Sequence, residues 1–212
     1  PWLYMLLVSL SDRPDPLAPG AGLSFSASHY AAVLTERTLH FPEFLRNSAV
    51  VALASAAVST LIAALAAFAL TRLSLPGKAA ILFFVLSASM FPQISLTGFL
   101  FKLMTRLGWI NTYQGLLFPY VAWTLPLSLW LLTSYFSQLP RELDKAAMVD
   151  GCAPWQVLWR VLLPVARPGL AAAFLLSFIS ACNEFLFALM LTTDHGARTV
   201  PVGIALFQGL HG

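Results

Sequence analysis

Hydrophobic residues run along this chain in four long blocks separated by short polar stretches. Asn47 to Thr71, Ala79 to Phe101 and Leu107 to Pro140 carry no charged side chain, and Pro168 to Thr193 carries one, Glu184. Each block can supply the ~20 mainly apolar residues that a bilayer-spanning helix needs. Pro1 to Leu10 (PWLYMLLVSL) reads as the tail of a fifth. A signal peptide is the alternative there. Against it, no basic segment precedes the apolar run, and the Ala18-Pro19-Gly20-Ala21 stretch lies well downstream.

Within the blocks the residue pattern predicts how the helices sit. Ala52, Ala56, Ser59, Ala63 and Ala67 recur at spacings of three and four. Such spacing places them on one face, where they permit close backbone approach to a neighbouring helix inside a bundle. Pro92 and Gln93 predict a kink in the second block, with freed carbonyls facing protein or water. The third block is too long for one straight span. Its start, LGWINTYQG, is expected at the interface with Trp109 and Tyr113 as anchors, and the crossing is expected over Gly115 to Phe136, with kinks at Pro119 and Pro126. Pro168 to Thr193 is expected to be the last complete crossing. Residues 11–46 read as a water-exposed connection that contains a short helix, SASHYAAVLTE, with Ser28 as its cap.

Composition supports a membrane reading. Hydrophobic residues make up 58% of the chain and charged residues 10%, against roughly 45–50% and 25% in soluble domains. The net charge of +3 is too small and scattered for a nucleic-acid footprint. Orientation cannot be read from charge, because Arg72, Lys78, Arg141, Lys145, Arg160 and Arg167 fall on one side and Arg13, Arg37, Arg46, Lys102, Arg106 and Arg198 on the other. Only the short RLSLPGK turn leans toward a cytoplasmic hairpin.

Familiar chemistry is missing. Gly77-Lys78 is followed by alanine, so there is no phosphate-cradling G-x-x-x-x-G-K-[ST], and neither H-E-x-x-H nor G-x-S-x-G occurs. His29, His40, His195 and His211 are dispersed and read as solvated or interfacial, and Cys152 and Cys182 have no metal or redox spacing. No catalytic residue, metal site or cofactor is expected. Asn183 and Glu184 stand out in the last block. An ionisable group inside a span faces a wet cavity or a partner, so this pair is either the polar lining of a solute path or, for Glu184, a group near the far interface that pairs with a neighbour.

One stretch breaks the apolar pattern: DKAAMVDGCAPWQVLWRVLLP, residues 144–164. Pro140 can open a helix whose first turn holds Glu142 and Asp144 at the positive end of its dipole. Gly151, after Asp150, can end that helix in a left-handed conformation, and Pro154 can begin a second, QVLWRVLL, ended by Pro164. Ala146 and Ala147 keep the first helix slim, which suits docking in a partner's cleft; an amphipathic hairpin lying on the lipid surface is the alternative.

This stretch resembles the EAA loop of ATP-binding-cassette (ABC) importer permeases: Ala146, Ala147, Gly151, Leu163 and Pro164 match its pattern, and Lys145 stands where the family has glutamate. The resemblance extends along the chain to the carbohydrate-import branch and its smaller, maltose-type permease. LRNSAVVA, AAFALTRLSLPGK, LGWINTYQGLLFPYVAWTLPLSLWLL, CNEFLFALMLT and RTVPVGIALFQG each resemble segments of that branch in the same order, with Cys182 replacing the usual tryptophan.

The resemblance implies an all-α, polytopic transmembrane bundle of the type I importer fold, in a bacterial or archaeal cytoplasmic (inner) membrane. It implies six helices in the subunit, so residues 1–212 are expected to be a fragment without its start and final crossing. Residues 140–165 would be a cytoplasmic loop that docks on an ATPase, with Glu142, Lys145, Ala146, Ala147, Asp150, Gly151 and Pro164 as the coupling residues. Asn183 and Glu184 are the candidate translocation path. The implied partners are a second permease subunit, an ABC ATPase dimer that hydrolyses ATP on a separate chain, an extracytoplasmic solute-binding protein, a carbohydrate substrate and membrane lipid. A permease for a sugar phosphate or polyol, and a membrane scaffold or enzyme acting without ATPases, are the alternatives.

Overall fold

The computed structural model of the protein describes residues 2–11, 26, 28–35 and 40–211. Most of the 11–46 connection, including Arg13 and Arg37, lies outside the described residues, as does the Ser28 side chain. A short helix does form there, Ser28–Thr35 (α2), after an exposed N-terminal helix Trp2–Ser9 (α1).

The first predicted crossing becomes a helix of 32 residues, Phe41–Arg72 (α3). Ala52, Ala56, Ser59, Ala63 and Ala67 all lie on its buried face. Against that face pack Tyr113–Gln138 (α6) and Arg167–Cys182 (α10), so the small-residue stripe does what its spacing predicts. At the meeting point of the three helices, Ser128 Oγ lies 2.5 Å from Ser177 Oγ, and Ser59 Oγ donates to Ser128 Oγ at 3.5 Å. All three serines are fully buried. Small hydroxyls let the helices approach and satisfy one another where no water can. Gly169 serves the same purpose, since a Cβ built there would meet the Tyr135 ring at 2.6 Å.

Only α3 and α6 are long and apolar enough by themselves to cross a membrane among the described residues. The second crossing is broken rather than kinked: Lys78–Ser89 (α4) and Gln93–Leu107 (α5) meet at 89°. Pro92 cannot donate a backbone hydrogen bond and holds its own backbone extended, so the ladder cannot bridge Met90 to Pro92. In α6, Pro119 and Pro126 are both buried inside one uninterrupted helix.

The last crossing also departs from expectation. After α10 the chain leaves the helix at Asn183 and resumes only as Leu186–Leu191 (α11), and Val200–His211 (α12) follows a short loop. Between α6 and α10 lies the hairpin: Glu142–Val149 (α7), Pro154–Val157 (α8), a π-helical turn Leu158–Leu162 and Leu163–Val165 (α9).

Candidate functional site

The hairpin begins where α3 and α6 end together. Arg72, the last residue of α3, donates from Nη2 to the Leu139 carbonyl at 3.0 Å, just past the end of α6. Its Nε lies 2.9 Å from Asp144 Oδ2 on α7. Both side chains are withdrawn from solvent, 6% and 12% exposed, so this contact is a buried one. Burial raises the Asp144 pKa, while Arg72 and then Arg141 oppose that rise. Arg141 adds a weaker tie, donating to the Thr71 carbonyl at 3.4 Å. One guanidinium thus joins the ends of two long helices to the first helix of the hairpin.

Around this latch the hairpin folds largely as its residues predict. α7 starts at Glu142 and stops at Gly151, whose φ of +85° carries the chain into the left-handed region. The turn is closed by Gly151 N–H to Met148 O at 3.1 Å and Cys152 N–H to Ala147 O at 2.9 Å. Gln156 then caps the second helix by accepting from the Ala153 N–H at 2.8 Å. Pro164 does not end that helix. The chain stays helical to Val165 because the π turn, closed by Leu163 N–H to Leu158 O, widens the backbone just before the proline. That widening relieves the clash that proline makes with the carbonyl four residues earlier. The bend of 79° comes instead at Ala166, between Val165 and Arg167.

The two faces of the hairpin differ. Asp144, Ala147, Val157, Leu158 and Leu162 are buried against the bundle. Glu142, Lys145, Ala146, Asp150, Gly151 and Pro164 are exposed, beside Val149 and Trp155. Of the seven residues assigned to coupling, Ala147 alone therefore faces inward. Lys145 is exposed and makes no ion pair among the described residues, and Asp144, its sequence neighbour, faces inward and is held by Arg72.

The second candidate region is the break after α10. Asn183 is exposed and donates from Nδ2 to the Ile179 carbonyl at 2.8 Å. Glu184 is 6% exposed and turns back onto α11, accepting from the Phe187 and Ala188 N–H groups at 2.8 and 3.2 Å. The carboxylate caps a helix whose first N–H groups would otherwise lack partners. Glu184→Ala is expected to lower stability by about 2 kcal/mol, the cost of stranding buried donors, and Glu184→Gln by less, since one acceptor remains. Thermal unfolding in detergent measures this. Unchanged stability with lost transport would instead place the carboxylate on the solute path.

The model of the binding-protein-dependent transport system inner membrane component family matches residues 59–211. The chain belongs to that family. The trehalose/maltose transport system permease protein of Thermococcus litoralis is 53% identical over 213 residues, covering 100% of this chain and 77% of that protein. The sulfoquinovosyl glycerol transport system permease protein of Agrobacterium fabrum is 41% identical over 218 residues, covering 99% and 74%. A chain of a bacterial ABC transporter involved in the import of the acidic polysaccharide alginate superposes with a TM-score of 0.76 at 23% identity, covering 97% of this chain and 71% of that one. The fold is therefore that of a type I ABC importer permease, and the protein is a multi-pass inner membrane component.

At the end of this permease remote from the hairpin lies a polar knot that sequence reading missed. Asn47, fully buried on α3, donates from Nδ2 to the His195 and Arg198 carbonyls at 3.1 and 3.0 Å. It also accepts the Tyr113 hydroxyl at 2.6 Å. Asn111, at a left-handed φ of 59° that asparagine tolerates, donates to Asp194 Oδ1 at 2.5 Å and accepts from the Thr193 and Asp194 N–H groups. The Gly196 N–H, and then Asn111, hold the Asp194 carboxyl below its ordinary pKa. His40 stacks on His195 with ring centroids 3.9 Å apart. The loop between α11 and α12 is thus fastened to the starts of α3 and α6. The signal in the sequence was Asn47 itself, an amide at the head of an uncharged run.

Proposed function

We propose that this chain is a transmembrane permease subunit of an ATP-driven ABC importer that moves a carbohydrate across the cytoplasmic membrane by alternating access. Residues 1–212 would be part of its transmembrane domain, with residues 140–165 as the cytoplasmic coupling loop. The observation that carries the reading is the two-faced hairpin, latched by Arg72 and Asp144 on one side and free on the other. A slim exposed helix end at Lys145, Ala146, Asp150 and Gly151 suits a cleft in an ATPase, and Glu142 stands free beside it. The buried side ties any movement of that helix to the ends of α3 and α6. Coupling requires such an element to interact differently with two global states. The second permease, the ATPase dimer that hydrolyses ATP and the extracytoplasmic binding protein are the partners this reading requires.

The carbohydrate class is supported by the relatives named for trehalose/maltose and sulfoquinovosyl glycerol transport. Asn183, exposed at the break in the last crossing, is the residue we assign to the solute path. Glu184 supports that break from within. Reconstituted complex should show ATP hydrolysis stimulated by a loaded binding protein across a panel of disaccharides, with sugar phosphates and polyols as the competing classes.

Gly151→Val tests the hairpin directly. A β-branched residue at φ +85° is strained by about 1–2 kcal/mol, and nothing lies within 4 Å of the added Cβ to disturb the bundle. Retention of the ATPase subunits on the purified permease is expected to fall about tenfold, with the permease's own unfolding temperature lowered by only a few degrees. Intact retention and intact uptake in this variant would sink the coupling assignment.

A further inference from the structure

A cleft of about 300 Å³ opens between the turn that joins α3 to α4 and the last turns of α6, and none of the roles above uses it. Its wall holds three cations from three different places in the sequence: Arg72, Lys78 and Arg141. Arg72 is committed to Asp144 and Leu139, but Lys78 and Arg141 make no ion pair among the described residues. Glu142 and Asp144 are the acids nearest this group, and Asp144 is already engaged by Arg72.

A further feature points to an anion. The 12-residue helix α4 starts at the cleft with Lys78 and Ala79 on its wall, with no acidic residue in its first turn and no side-chain cap. Its first N–H groups and the positive end of its dipole are therefore unspent.

The remaining wall is apolar. Leu70 and Leu82 line the cleft, and α4 leads away from it exposing Ile81, Phe83 and Phe84. The uncharged run of α3 ends at Thr71, so a bilayer matched to that run would set the cations at headgroup depth and the leucines toward the acyl chains. A soluble anion would need the charges alone; an anionic lipid uses both parts of the wall.

We propose that this cleft binds the phosphate headgroup of an anionic phospholipid in the leaflet on the hairpin side. Basic pockets between transmembrane helices recognise such headgroups, and each cation near the surface strengthens the attraction about fivefold. The lipid phosphate then lies beside Arg72 and Arg141, the two residues that tie the hairpin to the bundle.

The test is lipid retention by the assembled complex, drawn from bilayer discs of mixed phosphatidylglycerol and phosphatidylcholine and read by native mass spectrometry. The wild type should keep phosphatidylglycerol in preference to phosphatidylcholine. Lys78→Gln and Arg141→Gln, made separately, should each cut that preference about fivefold. Arg106→Gln, at the far end of α5, should leave it unchanged. Equal retention of both lipids by the wild type overturns the proposal, as does full preference in both cation variants. Displacement of the lipid by millimolar inorganic phosphate would make the site one for a soluble anion and overturn it equally.

Discussion

Arg72→Met is expected to destabilise the permease by about 3–5 kcal/mol and to reduce coupled uptake by more than tenfold. Removing one partner of a buried ion pair strands the other, and that penalty sets the magnitude. Here the stranded group is Asp144, 12% exposed, and the Leu139 carbonyl loses its guanidinium donor as well. Asp144→Leu should behave alike from the other side. Because an apolar replacement of both partners removes the buried charges together, the double variant Arg72→Met, Asp144→Leu should regain much of the lost stability. Unfolding followed by tryptophan fluorescence gives the stability cycle. If the double variant is as unstable as the sum of the singles, the two residues are not a latch. If it regains stability but not uptake, the latch acts in coupling and not merely in folding.

Asn47→Ala should cost about 2–3 kcal/mol, since it removes the partner of several part-buried polar groups at once. The His195 and Arg198 carbonyls lose their common donor, and Tyr113 loses an acceptor at 2.6 Å. The loop over residues 192–199 would then hang on Asn111 and on the Val200 N–H bond to Ser48 Oγ. Limited proteolysis should cut that loop faster in this variant than in the wild type. Protection equal to wild type in Asn47→Ala would show that the Asn111 side of the knot suffices. Lowering the pH should weaken that same side: the Asp194 carboxyl has a depressed pKa, so its stabilising effect is present above the unfolded value and lost as pH falls toward the depressed one.

The hairpin was readable from its residues because its signals are local. A proline, two early acids and a glycine after Asp150 act within a turn or two of themselves, and Gly151 takes the left-handed conformation its position predicts. Pro164 was misjudged as a stop because the remedy, a π turn at Leu158 to Leu162, carries no residue signature of its own. Lys145, where the family has glutamate, makes no ion pair among the described residues, and its neighbour Asp144 belongs to Arg72.

The chain's sequence by itself determined that the protein lives in lipid, which segments are apolar enough to cross, and which face of α3 packs. These follow from composition and from a 3.6-residue period, which every helix obeys wherever it sits. Tertiary structure alone decided that the last crossing breaks at Asn183 and what holds the helices together. The Asn183 to Phe185 break is stable because a buried carboxylate supplies acceptors to two backbone N–H groups that lipid cannot satisfy. Arg72 finds Asp144, Asn47 finds the 195–198 loop, and Ser59, Ser128 and Ser177 find one another only when helices distant in sequence are laid side by side. A polar group in a dry bundle must be paired, but hydropathy has no means of saying with which partner.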